Sequence, residues 1–220
     1  MMSILTEAVV CIGFYTSMLG STNLDVPLIY QYPDYPTACE SVATVETLKY
    51  NGFDIDINEF LDNYLDTIDS SDSSIASFEN VFDHYFVGNP YSSHGFLCNP
   101  PVEVNAVKKY FSEINESNCS VLDLTGTSFE NLLDYISQNK PVVIWCSINL
   151  VEPTRRYLYN SEYYTPSHAV VLSGYNLDTG KVTLTDSISG VVEADFERVK
   201  YLYNLFGKKS LVLRWWNERY

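Results

Sequence analysis

The spacing of apolar positions predicts helices along most of the first two thirds of the chain. In residues 39–50 apolar side chains recur every three positions, which predicts an amphipathic helix with Thr37 as its N-cap and Asn51-Gly52 as its end. The same period predicts further helices. They cover residues 57–66, 77–85, 102–114, 128–139 and 193–205.

The pattern changes after residue 140, where β-branched runs bounded by Gly, Pro and Asn predict strands. These runs are residues 141–148, 168–175, 181–186 and 210–216. Residues 178–180 (DTG) read as a hairpin connection between two of them. Helices followed by an antiparallel sheet predict a single α+β domain.

Composition narrows the classes of function. The 220 residues are 46% hydrophobic and 15% aromatic, which excludes a disordered chain. A net charge of −15 and a pI near 4.4 argue against a nucleic-acid partner, because an acidic protein repels phosphate. Residues 1–107 hold fifteen acids and one base, Lys49. This acidic half either attracts cationic ligands or serves as a solvated face that aids solubility.

The N-terminal apolar run, residues 8–19, allows two interpretations. Its length suits a degenerate signal peptide, which would favour a secreted or cell-surface protein. Glu7 before it and the lack of any Lys or Arg before Lys49 suit a packed N-terminal segment, and then a cytoplasmic protein. No segment has the roughly 20 apolar residues of a membrane span, so no stable span is expected.

No metal or other cofactor is predicted. The five cysteines form no CxxC pair and have no zinc-ligand spacing. Residues 54–65 begin like a calcium loop, but Glu59 replaces the required Gly and Leu65 replaces the required Glu. A solvated helix start explains that segment.

Cys39 is the cysteine whose position suggests chemistry, since it falls in the first turn of a predicted helix. The helix dipole and free N–H groups at such a position stabilise a thiolate, so the pKa of Cys39 is expected to fall. The alternative is a small buried apolar residue, which is how free cysteine usually behaves.

His168 and Asp186 supply the partners that a thiol nucleophile needs. His168 begins one predicted strand and Asp186 ends the next, so the carboxylate could hold the imidazole by one nitrogen. Nucleophile, base and orienting group then form a triad. Read separately, His168 is a satisfied strand-end histidine and Asp186 a turn-capping carboxylate.

Several stretches resemble the C39-like peptidase family, the relatives of bacteriocin-processing peptidases, in order and in spacing. The resemblance spans residues 25–213 and is carried by VPLIYQYP (26–33), PTACES (36–41), FVGNP (86–90), GFLCNPPV (95–102), KPVVIW (140–145) and HAVVLSGY (168–175). It implies a bacterial protein with a papain-like α+β fold over residues 25–220, preceded by the apolar segment of residues 1–24. In that fold the nucleophile lies at the N-terminus of a helix packed on a C-terminal antiparallel sheet.

The resemblance also implies roles for single residues. Cys39 would be the nucleophile, His168 the general base and then acid, Asp186 the orienting carboxylate, and Gln31 the side-chain donor to the oxyanion. Without the resemblance, Gln31 would be an ordinary exposed polar residue. Two positions depart from the family's usual pattern: Ala38 replaces Gly, and Ser187 replaces Pro.

The sequence therefore predicts a cysteine peptidase, or a related thiol hydrolase, that acts on a peptide or protein substrate without a cofactor. The acidic half favours a cationic substrate. Two alternatives stay open: an acyltransferase on the same fold, and a papain-like binding module that has no turnover.

Overall fold

The computed structural model describes residues 20–216, so the apolar run at residues 8–19 lies outside the described residues. The helices are α1 (Cys39–Tyr50), α2 (Ile57–Asn63), α3 (Pro100–Glu113), α4 (Phe129–Ser137) and α5 (Phe196–Leu205). The strands are β1 (Ser21–Asn23), β2 (Thr67–Ile68), β3 (Phe86–Val87), β4 (Cys119–Asp123), β5 (Val142–Cys146), β6 (Thr154–Leu158), β7 (Ser161–Thr165), β8 (His168–Asn176), β9 (Lys181–Asp186), β10 (Gly190–Asp195) and β11 (Ser210–Trp215).

The main sheet is antiparallel throughout and follows the order β10-β9-β8-β5-β11-β4, with β1 added to β8. Its register places Cys146 of β5 opposite His168 of β8, and Asp186 of β9 opposite Gly190 of β10. Four predicted strands form its centre. The predicted α+β class is confirmed, although β1 and β4 join the sheet from the helical part of the chain.

Helix α1 is buried on all sides, because ten of its twelve residues, 39 to 48, are buried. The amphipathic helix expected there is therefore a central helix, and it carries two buried glutamates, Glu40 and Glu46, as well as apolar side chains. The expected N-cap is also wrong. Ala38 occupies that position without a side-chain cap, and Thr37 Oγ1 donates to Ser92 O at 2.9 Å.

Two of the helix predictions fail where local polar contacts or strand pairing prevail. The helix predicted for residues 77–85 is replaced by two 3₁₀ turns, Ser73–Ser77 and Val81–Asp83. Asp72 caps the turn at Ser73–Ser77 by accepting a hydrogen bond from the Ser74 N–H. The start predicted for residues 193–205 is an edge strand, β10, and α5 begins only at Phe196. Asp195 caps it by accepting from the Arg198 N–H at 3.0 Å.

Glu46 ties α1 to the extended segment that precedes it in the chain. Its Oε1 accepts a hydrogen bond from the Ile29 N–H at 2.8 Å, while its Oε2 has no hydrogen-bond partner within residues 20–216. Burial, with a contribution from the nearby charge of Asp186, raises the pKa of Glu46 to about 8. The side chain is therefore held as a neutral carboxyl at neutral pH.

Glu46→Gln is expected to make the protein more resistant to alkaline conditions. Because the folded-state pKa of about 8 lies above the ordinary 4.5, the stability that this group contributes is present below pH 4.5 and is lost as pH rises toward 8. The amide keeps an acceptor for the Ile29 N–H and cannot ionise. Thermal unfolding should therefore show a smaller fall in Tm between pH 5 and pH 8.5 in the variant than in the wild type.

The control is Glu79→Gln, which makes the same substitution at an exposed glutamate. It should leave the pH dependence of Tm nearly unchanged. Equal pH dependence in wild type and Glu46→Gln would show that Glu46 is not held neutral by its burial.

Candidate active site

His168 and Asp186 meet at one end of the neighbouring strands β8 and β9. His168 Nε2 lies 2.8 Å from Asp186 Oδ1, and both side chains are buried. His168 is the first residue of β8 and Asp186 the last of β9, so the antiparallel pairing itself brings them together. With Nε2 held by the carboxylate, Nδ1 is the ring nitrogen left to exchange a proton.

The Asp186 carboxylate also closes the turn after β9. Oδ1 accepts from the backbone N–H groups of Ile188 at 2.8 Å and Ser189 at 3.3 Å. Burial opposes ionisation of Asp186, but the hydrogen bond and charge of His168, together with these N–H groups, outweigh it and lower its pKa. Asp186 is thus both a turn-capping carboxylate and the partner of the imidazole.

Cys39 is the first residue of α1 and its side chain is only 6% exposed. The backbone of Ala169, the residue after His168, and the side chain of Cys146 both lie near enough to the sulfur to influence its pKa, the first favouring the thiolate and the second opposing it. Between the described residues Cys39 and His168 themselves the structure has no hydrogen bond. The thiol therefore lies next to the start of β8 without a hydrogen bond to the ring.

Glu40 is the side chain that the thiol does contact. Cys39 Sγ donates to Glu40 Oε2 at 3.2 Å, and the Glu40 carboxyl is fully buried. Burial is the main cause that raises the pKa of the Cys39 thiol well above its ordinary value, and the charge of Glu40 adds to it. The lowered pKa expected from the helix N-terminus is therefore wrong, because desolvation and an adjacent carboxylate outweigh the helix dipole.

Behind Glu40 lies a second buried carboxyl, Glu103 of α3. Its Oε1 accepts hydrogen bonds from Ser41 Oγ at 2.7 Å and from Cys98 Sγ at 3.4 Å. Burial raises the pKa of Glu40 to about 8 and that of Glu103 to about 7. Sequence reasoning missed this group, because a glutamate in the first turn of a helix normally indicates an exposed position.

Gln31 is buried, at 2% exposure, rather than exposed as its sequence context alone suggests. Its Nε2 donates to Pro36 O at 3.0 Å, and its Oε1 accepts from Ser187 Oγ at 2.6 Å. The structure therefore brings Gln31 to the turn that follows Asp186.

A cavity of about 240 Å³ adjoins the imidazole and the carboxylate of His168 and Asp186. Its walls include Cys146, Ser147, Leu150, Val170, Leu184 and Val192. It offers a mostly apolar space beside His168.

Neither a metal centre nor a membrane-spanning helix is present in the described part of the chain. Residues 20–216 contain no group of three or more His, Cys, Asp or Glu side chains placed to bind a metal ion. None of the helices within that range is both long enough and apolar enough to cross a bilayer.

Residues 23–211 match the Peptidase_C39 like family, so the chain belongs to that family. A Bacillus anthracis protein, whose crystal structure is described as that of a C39-like peptidase, has 23% identity and a TM-score of 0.75, over 88% of this chain and 97% of that one. The fold is thus that of the C39 and papain-like cysteine peptidases, as the sequence predicted.

More distant structures are similar over most of the chain. A double-glycine-motif protease from an AMS/PCAT transporter, solved with the leader peptide, has 14% identity and a TM-score of 0.46, over 89% of this chain and 96% of that one. Xylellain, a cysteine protease from Xylella fastidiosa, has 11% identity and a TM-score of 0.45, over 88% and 85%. A comparison with curated proteins found no match.

Glu40→Gln is expected to make Cys39 more reactive. The change removes the carboxylate that opposes a thiolate at 3.2 Å and places a neutral amide there. At a pH below the pKa of the thiol, lowering that pKa by one unit raises the thiolate fraction tenfold. Alkylation of Cys39 by iodoacetamide at pH 8.5 should therefore be about 3- to 10-fold faster in the variant than in the wild type. Mass spectrometry of the Cys39 peptide measures the rate.

Glu113→Gln, which removes the charge of an exposed glutamate, serves as the control and should leave that rate unchanged. Slower alkylation in Glu40→Gln than in wild type would mean that the carboxyl activates the thiol instead of restraining it.

Proposed function

We propose that this protein is a cysteine peptidase in which Cys39 is the nucleophile, His168 the general base and then acid, and Asp186 the orienting carboxylate. The observation that carries the proposal is the 2.8 Å hydrogen bond between His168 Nε2 and Asp186 Oδ1, formed beside a helix N-terminus that bears a cysteine. Membership of the C39-like family supports a hydrolase that cleaves peptide bonds.

The reaction begins when the Cys39 sulfur turns from Glu40 toward His168. The thiol proton passes to His168 Nδ1, and the resulting imidazolium is stabilised by Asp186 through Nε2. The thiolate attacks the substrate carbonyl carbon and forms a tetrahedral oxyanion. His168 then gives its proton to the leaving amine as the C–N bond breaks, which leaves a thioester on Cys39.

The oxyanion needs donors that are already in place. As the first residue of α1, Cys39 has a backbone N–H with no acceptor inside the helix. Gln31 Nε2 has two hydrogens and gives one to Pro36 O, so the second is left for the oxyanion. Water, deprotonated by His168, then hydrolyses the thioester and regenerates the thiol.

A peptide-binding module without turnover is the second candidate. The burial of Cys39 and its hydrogen bond to Glu40 favour it, because both restrain the thiolate on which hydrolysis depends.

A peptide-library cleavage screen decides between these candidates. We expect the wild type to release new N-termini and Cys39→Ala to release none. Cys119→Ala is the matched control, since this buried cysteine lies on β4, three strands away from β8 in the sheet, and it should retain activity. Binding of peptides without cleavage would favour the module, and amide products formed only with added amine would favour acyl transfer.

Cys39→Ala and His168→Ala are each expected to reduce kcat by at least about 10³-fold and to preserve the fold. Because the members of a triad act as a unit, the double variant should be little worse than either single variant. Asp186→Asn should reduce kcat as well, since the amide no longer stabilises the imidazolium. Steady-state kinetics and circular dichroism measure both effects, and losses that multiply in the double variant would argue against a triad.

We further propose that the substrate is cationic. A groove of about 410 Å³ is lined by Asp62, Asp69 and residues 88–91. It lies close to the nucleophile in the chain's fold, because Asn89 O accepts a hydrogen bond at 3.4 Å from Thr37 Oγ1, and Thr37 is two residues before Cys39. Nine acids and no base lie between residues 54 and 83. The field of these acids would raise the local concentration of Lys- and Arg-rich peptides.

The ratio of kcat/KM for matched basic and neutral peptides should therefore fall as salt rises from 0.1 M to 1 M. Over that range the Debye length shrinks from about 10 Å to about 3 Å, which screens the acidic groove. A ratio that does not change with salt would mean that these acids do not attract the substrate.

A further inference from the structure

We propose that Ser187 is a positioning residue of the oxyanion site: its hydroxyl fixes the Gln31 amide in the orientation that presents an N–H to the substrate oxygen. The inference rests on the proposed role of Gln31 and adds a residue to which no role has yet been given. Ser187 does not touch the reacting atoms itself and acts through Gln31.

The Gln31 amide is held at both of its ends. Ser187 Oγ donates to Oε1 at 2.6 Å, and Nε2 donates to Pro36 O at 3.0 Å. Gln31 and Ser187 are each 2% exposed, so water does not compete for these contacts. One Nε2 hydrogen is used and the other is left, as the oxyanion role requires.

The opposite orientation of the amide is excluded by chemistry. Rotating the amide by 180° would place Oε1 against Pro36 O, and two carbonyl oxygens in a buried site repel each other without a shared hydrogen. The hydroxyl of Ser187 supplies the donor that Oε1 needs in the observed orientation. The Pro36 carbonyl therefore selects the orientation, and the Ser187 hydroxyl, which can donate or accept, donates to Oε1 and holds the amide in it.

Hydrogen bonds to Ser187 and Glu46 hold the main chain around Gln31. The Gln31 N–H donates to Ser187 O at 3.0 Å, and two residues earlier the Ile29 N–H donates to Glu46 Oε1 at 2.8 Å. Asp186 and Ser187 are consecutive. A single turn after β9 therefore positions both the imidazole, through Asp186, and the oxyanion donor, through Ser187.

Ser187 is a property of this chain and not of the family pattern that it resembles. Proline is the common residue after the orienting carboxylate in that pattern, and proline has no hydroxyl with which to hold a glutamine. In this chain the hydroxyl of Ser187 makes that contact.

The kinetic test is a double-variant cycle on the full chain with the peptide found in the cleavage screen. Ser187→Ala should lower kcat by about 3- to 10-fold with KM unchanged, the effect of one lost hydrogen bond between uncharged groups. Gln31→Ala should cost about 10²–10³ in kcat. In the Gln31→Ala background, Ser187→Ala should have no further effect on kcat, because the amide through which Ser187 acts is absent.

Ser173→Ala is the control, since it removes a buried serine hydroxyl that contacts Thr185 and Thr183 and not Gln31. It should leave kcat unchanged. An unchanged kcat in Ser187→Ala, or losses that multiply with those of Gln31→Ala, would overturn the inference while Cys39-dependent hydrolysis still upheld the proposed function.

A second readout does not depend on activity. The chain has two glutamines, Gln31 and the exposed Gln138, so ¹⁵N labelling of glutamine side chains gives two pairs of amide signals. We expect the Gln31 pair to be shifted from the Gln138 pair and protected from exchange in the wild type, and to lose both properties in Ser187→Ala. A Gln31 pair that is unchanged in Ser187→Ala would show that Ser187 does not hold the amide, whether or not the protein hydrolyses peptides.

Discussion

The buried carboxylate of Asp186 is the group on which the geometry of the site depends. Its Oδ1 accepts three hydrogen bonds, from His168 Nε2 and from the backbone N–H groups of Ile188 and Ser189. A buried charge is stable only when it is partnered, so this oxygen fixes the imidazole and the turn after β9 together. Because the next residue, Ser187, contacts Gln31, the proposed base and the proposed oxyanion donor are both held by the turn after β9.

The proposed nucleophile, Cys39, lies in an environment that disfavours its charged form, whereas the surroundings of Asp186 favour ionisation. Cys39 is buried against Glu40, and Glu103 lies behind Glu40. Burial raises the pKa of Glu40 to about 8 and that of Glu103 to about 7. Burial favours the neutral form of both carboxyls, and ionisation of Glu40 opposes a thiolate on Cys39. In the proposed mechanism the sulfur has to give up its hydrogen bond to Glu40 before its proton can pass to His168.

Much of the architecture could be predicted from the sequence, and the failures have physical causes. The strands that begin at His168 and end at Asp186 follow from β-branched runs, and their pairing brings the two side chains together. Periodicity could not show that α1 is buried on every side, because its glutamates look like a solvated face. The same burial reversed the expected pKa shift of Cys39, since desolvation depends on neighbours distant in the chain.

The central claim is that Cys39, Gln31 and His168 converge on one substrate carbonyl. A crystal structure of the protein with a peptide aldehyde tests it most directly, because the aldehyde traps the tetrahedral state. The account predicts a bond from Cys39 Sγ to the aldehyde carbon, with the oxygen within hydrogen-bond distance of Gln31 Nε2 and the Cys39 N–H. An adduct on Cys98 or Cys146, or an oxygen turned away from Gln31, would contradict it.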